Sequence, residues 1–246
     1  MLNIWSITDI GLVRKENQDA FATSYHEESG RTIAVVCDGM GGSAGGRIAS
    51  KLAVETYIQE VSLVLTAQME PEQIREASSY AISKANKAIA DAAARNEEIA
   101  NMGTTLVAAI SCQDGVVVSN VGDSRAYCIS TSGIHRITKD HSLVETMVEH
   151  GDITADEARH HPNKNLITRA LGANCNATCD GYIYPMHKGD YLLLCTDGLV
   201  DTVTDQELLF EIIHMNDPST SLNRLLEISK SNGAPDNVTA VLMQIS

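Results

Sequence analysis

Aromatic residues are scarce, at 4% of 246 residues with one Trp and two Phe, so any core must be built from aliphatic side chains. Long apolar runs are missing too. Val61–Ala67 and Tyr191–Cys195 fall far short of the roughly 20 residues that cross a bilayer. Positive charge is in deficit, with 18 Lys and Arg against 32 Asp and Glu and a formal net charge of −14. Such a surface repels phosphate backbones and anionic lipid heads, which excludes a non-specific nucleic-acid or membrane-surface binder. No run of like charges forms a tail. The N-terminus, Met1-Leu2-Asn3-Ile4-Trp5, has no basic and apolar leader pattern, so a cytoplasmic protein is expected. The 5 prolines and 17 glycines are scattered and no repeat or linker divides the chain, which predicts one domain over residues 1–246. What the chain does have is 43% apolar residues, enough for a substantial core.

Six cysteines do not read as a disulfide framework in so long a chain without a leader. Cys37, Cys112 and Cys195 sit in apolar β-like runs, as small buried hydrophobes. Cys175 and Cys179 have half-site spacing for a metal, but no second Cys or His pair follows.

Strand patterns occur at Asn3–Thr8, Ala20–Ser24, Thr32–Cys37, Thr104–Cys112, Gly115–Asn120, Arg125–Ser130, Ala177–Tyr184, Asp190–Thr196 and Val238–Ile245. Helices are predicted over Gly45–Leu65, from Pro71 with Ile74, Ala77, Ala81, Ala85, Ala88 and Ala92 on one face, after the Thr204/Glu207 capping box, and over Ser219–Ser231. Hairpins in blocks with paired helices predict an α+β fold of antiparallel sheet and segregated helices. Asp140–Gly172 is less regular. Its short helical patterns Ser142–His150 and Thr154–Arg159, followed by a polar stretch, mark an inserted flap.

Asp-Gly occurs four times, and its ordinary meaning is a turn. Asp114-Gly115, between two apolar β runs, is expected to be a hairpin tip, and Asp180-Gly181 is read in the same way. Asp38 and Asp197 differ, because each follows an apolar strand and precedes something other than a returning strand: Gly39-Met40-Gly41-Gly42 in one case, Gly198-Leu199 and the further acid Asp201 in the other. A carboxylate at a strand end has a rigid backbone and a side chain at the sheet rim. Glycine beside it allows close approach, and the Gly39 carbonyl is itself a hard oxygen ligand. Asp19, Asp123 and Asp236 are further candidates, with Arg14 close to Asp19 in sequence.

An all-oxygen acidic set suits Mg²⁺ or Mn²⁺, and none of the eight histidines lies beside these acids. Two such ions sharing a carboxylate generate hydroxide from bound water, and an adjacent arginine clamps a phosphate. Those are the parts that phosphomonoester hydrolysis needs. No Cys-x5-Arg loop, Gly-x-Ser-x-Gly elbow or P-loop is present, so no covalent nucleophile stands out.

Taken in order, Arg14-x-x-Asn17-Gln18-Asp19, Asp38-Gly39-Met40-Gly41-Gly42, Gly103-Thr104-Thr105, Gly122-Asp123-Ser124-Arg125, Asp140-His141-Ser142, Ile167-Thr168-Arg169-Ala170-Leu171-Gly172, Thr196-Asp197-Gly198 and Asp236-Asn237 resemble the metal-dependent protein serine/threonine phosphatases (PPM, or 2C type), above all the small stand-alone bacterial members. The resemblance runs from about residue 5 to 245. It implies a four-layer α-β-β-α sandwich of two antiparallel sheets with a metal site at one rim. It also implies hydrolysis of phosphoserine and phosphothreonine in proteins by a metal-bridging hydroxide, reversing a bacterial Ser/Thr kinase. Asp38 then bridges two catalytic Mn²⁺ or Mg²⁺ ions. The Gly39 carbonyl and, through water, Asp19 serve one ion, while Asp197 and Asp236 serve the other. Asp123 with Asp197 holds a third, weaker ion that Asp201 supports. Arg14 binds the substrate phosphate, and the Asp140–Gly172 flap borders the site and influences substrate choice.

Met40 stands where many eukaryotic members carry a histidine proposed to protonate the leaving oxygen, and methionine has no proton to give. That leaves metal-bound water, or His161 on the flap, as the general acid. The same acidic rim also fits a non-catalytic module binding Ca²⁺ or a basic partner, or a two-metal phosphodiesterase on nucleotides, although one arginine and a charge of −14 suit a monoester better. The expected partners are phosphorylated proteins and a cognate kinase, with no nucleic acid and no membrane, and the protein is expected to work as a monomer. The remaining surface charge is expected to favour basic over acidic phosphopeptides.

Overall fold

The computed structural model describes residues 3–42, 44–172, 178–215 and 217–245. Its strands are β1 (Asn3–Asp9), β2 (Ala20–His26), β3 (Arg31–Cys37), β4 (Gly39–Met40), β5 (Gly103–Thr104), β6 (Leu106–Cys112), β7 (Gly115–Val121), β8 (Arg125–Ser130), β9 (Gly133–Arg136), β10 (Asp180–Pro185), β11 (Tyr191–Cys195) and β12 (Val238–Gln244). Its helices are α1 (Gly45–Val64), α2 (Pro71–Ala93), α3 (Leu143–His150), α4 (Ala155–Arg159), α5 (Asp197–Val200), α6 (Asp205–His214) and α7 (Pro218–Ser231). One five-stranded sheet has the order β1-β12-β11-β8-β9, a second has β10-β7-β6-β3-β2, and β4 pairs with β5 apart from both. All of these pairings are antiparallel.

The central strands are apolar without a break because each faces two cores. In β3, Ile33, Val35 and Cys37 pack with α1 and α2, while Ala34 and Val36 face the other sheet. In β11, Leu192 and Leu194 face that inter-sheet core, and Leu193 and Cys195 pack against the second helical layer, with Leu208, Ile212, Leu222 and Leu225 of α6 and α7. Alternation between two apolar environments leaves no polar face to betray the period. The result is the expected α-β-β-α stack, with an almost wholly aliphatic core. Cys37, Cys112, Cys128, Cys179 and Cys195 are all free thiols. Among the described residues no helix is long and apolar enough to cross a membrane.

Most element bounds fall within a residue or two of expectation, and the Thr154/Glu157 and Thr204/Glu207 capping boxes are both formed. The α2 stripe holds at Ile74, Ala77, Ala81 and Ala85, but then passes to Ile89 and Ala93, leaving Ala88 and Ala92 half-buried. Asp180-Gly181 is not a turn. It opens β10, paired with Asn120 and Ser119, and a side chain at Gly181 would overlap the stem of Arg75 from α2. Here the glycine makes room for a helix rather than reversing the chain. Asp114-Gly115 does close the β6–β7 hairpin, with Cys112 opposite Gly115. The short edge strand β9 and the single-turn α5 carry no pattern long enough to read. Cys175 and the predicted strand start at Ala177 lie outside the described residues.

Candidate active site at the sheet rim

Strand register gathers the expected acids at one edge of the sandwich. In the second sheet, Ala20 lies opposite Cys37, Val36 opposite Val107, and Leu106 opposite Val121, so the start of β2 and the ends of β3 and β7 share a rim. In the first sheet, Cys195 lies opposite both Ala240 and Arg125, and Asp9 opposite Val238. Asp19, Asp38, Asp123, Asp197 and Asp236 each sit just beyond one of these strand ends. Arg14, Asp38, Gly39, Met40, Asp123, Asp197 and Asp236 line a cavity of about 490 Å³, with Gln18, Thr105 and Asn237 between them and Asn165 and Ile167 from the flap.

The backbone of Asp38 is held from three directions. Its amide donates to Thr105 Oγ1 at 2.9 Å, and its carbonyl accepts from the Thr105 amide at 2.9 Å and the Thr104 hydroxyl at 2.7 Å. A side chain on the next residue, Gly39, would run into the carbonyls of Gly46 and Gln18, so only glycine fits there. Asn237 ties the Arg14–Asp19 loop to β12. Its Oδ1 accepts from the Gln18 amide at 2.8 Å, and its Nδ2 donates to the Ile10 and Glu16 carbonyls at 2.9 Å each. Arg14 is half exposed and donates from Nη2 to Asp236 Oδ2 at 2.6 Å, and this bond, with the nearby Asp236, Asp38 and Asp197 charges, raises its pKa although partial burial works the other way.

Electrostatically the rim is frustrated. Burial pushes the Asp38 and Asp123 carboxyls well above the carboxylate range, and the Asp197 charge adds to both shifts. Burial, reinforced by Asp201 and Asp236, takes Asp197 up to about 6, and burial takes Asp19 to about 7 although the Thr196 and Thr239 hydroxyls pull the other way. Asp19 Oδ1 and Asp197 Oδ1 are shielded from solvent with no hydrogen-bond partner. Crowded, partnerless carboxylate oxygens are what hard divalent cations satisfy, so the donor set fits Mg²⁺ or Mn²⁺. Among the described residues no three acidic, His or Cys side chains already close on one point as a metal cage; the acids form a rim instead.

Three expected residues stand apart from the cavity lining, the first being Asp19, whose Oδ2 accepts the Thr196 hydroxyl at 3.0 Å. Asp201 receives an ion pair from Lys164 of the flap at 2.6 Å, and the His161 ring accepts the Asn163 amide at 3.1 Å. Among the described lining residues there is no histidine, cysteine or serine. The single hydroxyl, Thr105, is engaged with the Asp38 amide and with Ser124 Oγ at 2.7 Å. Gly103-Thr104-Thr105 and Asn237 stand in motifs of the resemblance with no role assigned by it. Their role is to hold backbones across the chain, and it shows only when the partners are adjacent. Ile167 opens one of the motifs of the resemblance without an assigned role, and Asn165 carries no signal.

A profile of the protein phosphatase 2C family matches residues 13–242. The serine/threonine phosphatase stp of Listeria monocytogenes is 36% identical over 239 residues, covering 96% of this chain and 93% of its own. Among solved structures, the serine/threonine phosphatase Stp1 from Staphylococcus aureus superposes with a TM-score of 0.93 at 35% identity, covering 100% of this chain and 96% of the other. The catalytic domain of serine threonine protein phosphatase PstP, in complex with two manganese ions, superposes with a TM-score of 0.84 at 30% identity, covering 100% and 99%.

Proposed function

Since the chain belongs to the protein phosphatase 2C family, we propose that its acidic rim is where it removes phosphate from serine and threonine side chains of proteins. The observation that carries the placement is the convergence of Asp38, Asp123, Asp197 and Asp236 from separate strand ends, with Arg14, on one cavity. Asp38, Asp197, Asp236 and the Gly39 carbonyl would hold two divalent ions, with Asp19 behind them and Asp123 available to a third. Bound there, Mn²⁺ or Mg²⁺ supplies Lewis acidity that draws in the phosphoryl oxygens and makes water a nucleophile at neutral pH.

The chain's own groups do the rest. Arg14 offers a guanidinium at the cavity mouth for the dianionic phosphate, with a planar fork matched to two of its oxygens. The Thr104–Thr105 pair keeps Asp38 from turning when its charge is neutralised, which is preorganisation without side-chain motion. The occupied Thr105 hydroxyl and the absence of Ser, Cys or His from the described lining leave only carboxylates as covalent nucleophiles, and this reading assigns those to cations, so it is one of direct hydrolysis. Met40 cannot protonate the leaving oxygen, and His161 keeps only the weaker standing of a flap residue outside the lining. A cognate Ser/Thr kinase, a monomeric working state and a cytoplasmic setting complete this reading.

Purified protein should release phosphate from a phosphothreonine peptide when Mn²⁺ or Mg²⁺ is supplied and stop when EDTA is added. Turnover that persists in EDTA, or cleavage of a bis-aryl phosphodiester in preference to the peptide, would overturn it.

A further inference from the structure

Asp140-His141-Ser142 and Arg169 belong to the motifs that carry the family resemblance, yet none of them lines the cavity. His141 is 5% exposed and is bonded on every side. Its amide donates to the Gly122 carbonyl at 2.9 Å, and its ring Nδ1 accepts the Gly122 amide at 3.0 Å, so the residue before Asp123 is gripped through both of its backbone polar groups. Its own carbonyl accepts the Thr168 amide at 2.7 Å. Its Nε2 lies 3.1 Å from Arg169 Nη1 and 3.3 Å from Asp180 Oδ2, and Asp180 Oδ1 takes Arg169 Nη1 at 2.9 Å. The preceding Asp140 is anchored by Arg125 at 2.6 Å. One histidine thus touches the entry of the flap, its exit at Thr168 and Arg169, the first residues of β10, and the Asp123 turn.

The ring can do this in one tautomer only. Because Gly122 donates to Nδ1, the neutral ring carries its proton on Nε2, where Asp180 Oδ2 accepts it, and Arg169 Nη1, itself only a donor, directs its hydrogen to Asp180 Oδ1. Burial, helped by the Arg169 charge, lowers the His141 pKa and keeps the ring neutral. The Gly122 grip reaches the metal rim by a short path. Gly122 has a φ of +107° and lies so close to Thr105 that a Cβ would overlap its side chain. Thr105 in turn holds Asp38 and bonds Ser124.

We infer that His141 is a positioning residue: its Nε2–H tautomer clamps the Gly122–Asp123 turn to both ends of the flap, so that placement of the Asp123 carboxylate and placement of the flap are set together. This rests on the reading of Asp123 as a cation ligand, but the clamp itself is measurable without metal or substrate.

In the wild-type protein without added metal, ¹⁵N NMR of the imidazole should show His141 as the Nε2–H tautomer; an Nδ1–H ring overturns the inference. His141→Ala should speed amide exchange at Gly122 roughly tenfold or more while Val117 in β7 stays protected, and should raise the Mn²⁺ concentration for half-maximal turnover by roughly tenfold, as loss of an outer-shell partner does. His141→Asn places an oxygen where Nδ1 stood and should restore slow exchange at Gly122 and most of the Mn²⁺ response. Unchanged exchange and Mn²⁺ response in the alanine variant, or equal impairment in both variants, overturns the inference. Should the alanine variant not fold, Asp180→Ala removes the acceptor of the ring Nε2–H and of Arg169 from the surface side. Faster exchange at Gly122 and Thr168 supports the clamp, and no change at either refutes it. A wild-type protein inert with Mn²⁺ would sink the phosphatase reading while leaving the tautomer and exchange results standing.

Discussion

Asp38 and Asp197 lie near enough at the centre of the rim for the Asp197 charge to push up the Asp38 carboxyl, so a cation held there needs both. Asp38→Asn and Asp197→Asn should each reduce Mn²⁺-dependent turnover by more than the roughly 10- to 100-fold that outer-shell changes cost, measured on a phosphothreonine peptide. Near-normal rates in either variant would remove that residue from the ligand set. Arg14 acts differently. It is half exposed and meets the substrate phosphate as a charge-assisted donor, an interaction of about 1.5–3 kcal/mol. Arg14→Ala should therefore raise KM by about 10- to 100-fold with a much smaller change in kcat, because ground-state binding is what it removes. A loss confined to kcat would place Arg14 in the chemistry instead.

Strand ends act as fixed mounts, and the residues that lock them matter as much as the acids. Thr105→Val removes the acceptor of the Asp38 amide and the partner of Ser124 within a buried site, at a cost of about 1–3 kcal/mol in stability. Chemical denaturation should record that loss together with a fall in kcat; unchanged kcat would mean that Asp38 is held without Thr105. The helical layer is tied to the sheet edge by Lys230 of α7 and Asp9 of β1, 2.7 Å apart. Burial alone would raise the Asp9 carboxyl, but Lys230 and the Gly11 amide outweigh it and hold the pKa below its usual value. A depressed carboxylate contributes stability that is present above the unfolded pKa of about 3.9 and is lost as pH falls through the folded value. Lys230→Met should then destabilise the protein at pH 7 by no more than about 1 kcal/mol, since both groups are partly exposed, and the difference from wild type should fade below about pH 4. A gap that persists in acid would assign the effect to packing.

At the scale of the molecule, the net charge of −14 divides into two parts, because six of the 32 acids (Asp19, Asp38, Asp123, Asp197, Asp201 and Asp236) belong to or adjoin one rim. Cations that bind the folded rim and not the unfolded chain stabilise by mass action, about 2.7 kcal/mol at 100 times Kd. Scanning calorimetry should find the melting point higher by roughly 5–10 °C in saturating Mn²⁺ than in EDTA for a chain of this size. No shift would contradict the fit of the carboxylate set to a divalent ion. The acids that remain on the surface repel acidic substrates over about a Debye length, so basic phosphopeptides should show the larger kcat/KM, and salt should erase the advantage. Equal turnover of basic and acidic peptides at low salt would refute that.

Local signals carried the sequence a long way. Apolar runs ending in Asp-Gly at Asp38 and Asp197, the two threonine capping boxes, and the Ala-rich stripe of α2 are contrasts between neighbours in the chain, which propensity and patterning can express. The α+β class and the acids of the rim followed from them, and the resemblance supplied the four layers. What only the tertiary structure decided depends on partners far apart in sequence. Asp180-Gly181 reads as a turn until Asn120 and Arg75 are beside it, and Asn237 and Thr105 read as ordinary polar residues until the loops they hold are in place. His141 looked like one more residue of a motif. Its ring has a single workable tautomer, and therefore a defined task, only because Gly122 and Asp180 arrive around it from two other parts of the chain. Hydrogen bonds act through space at about 3 Å, a distance to which sequence separation is no guide.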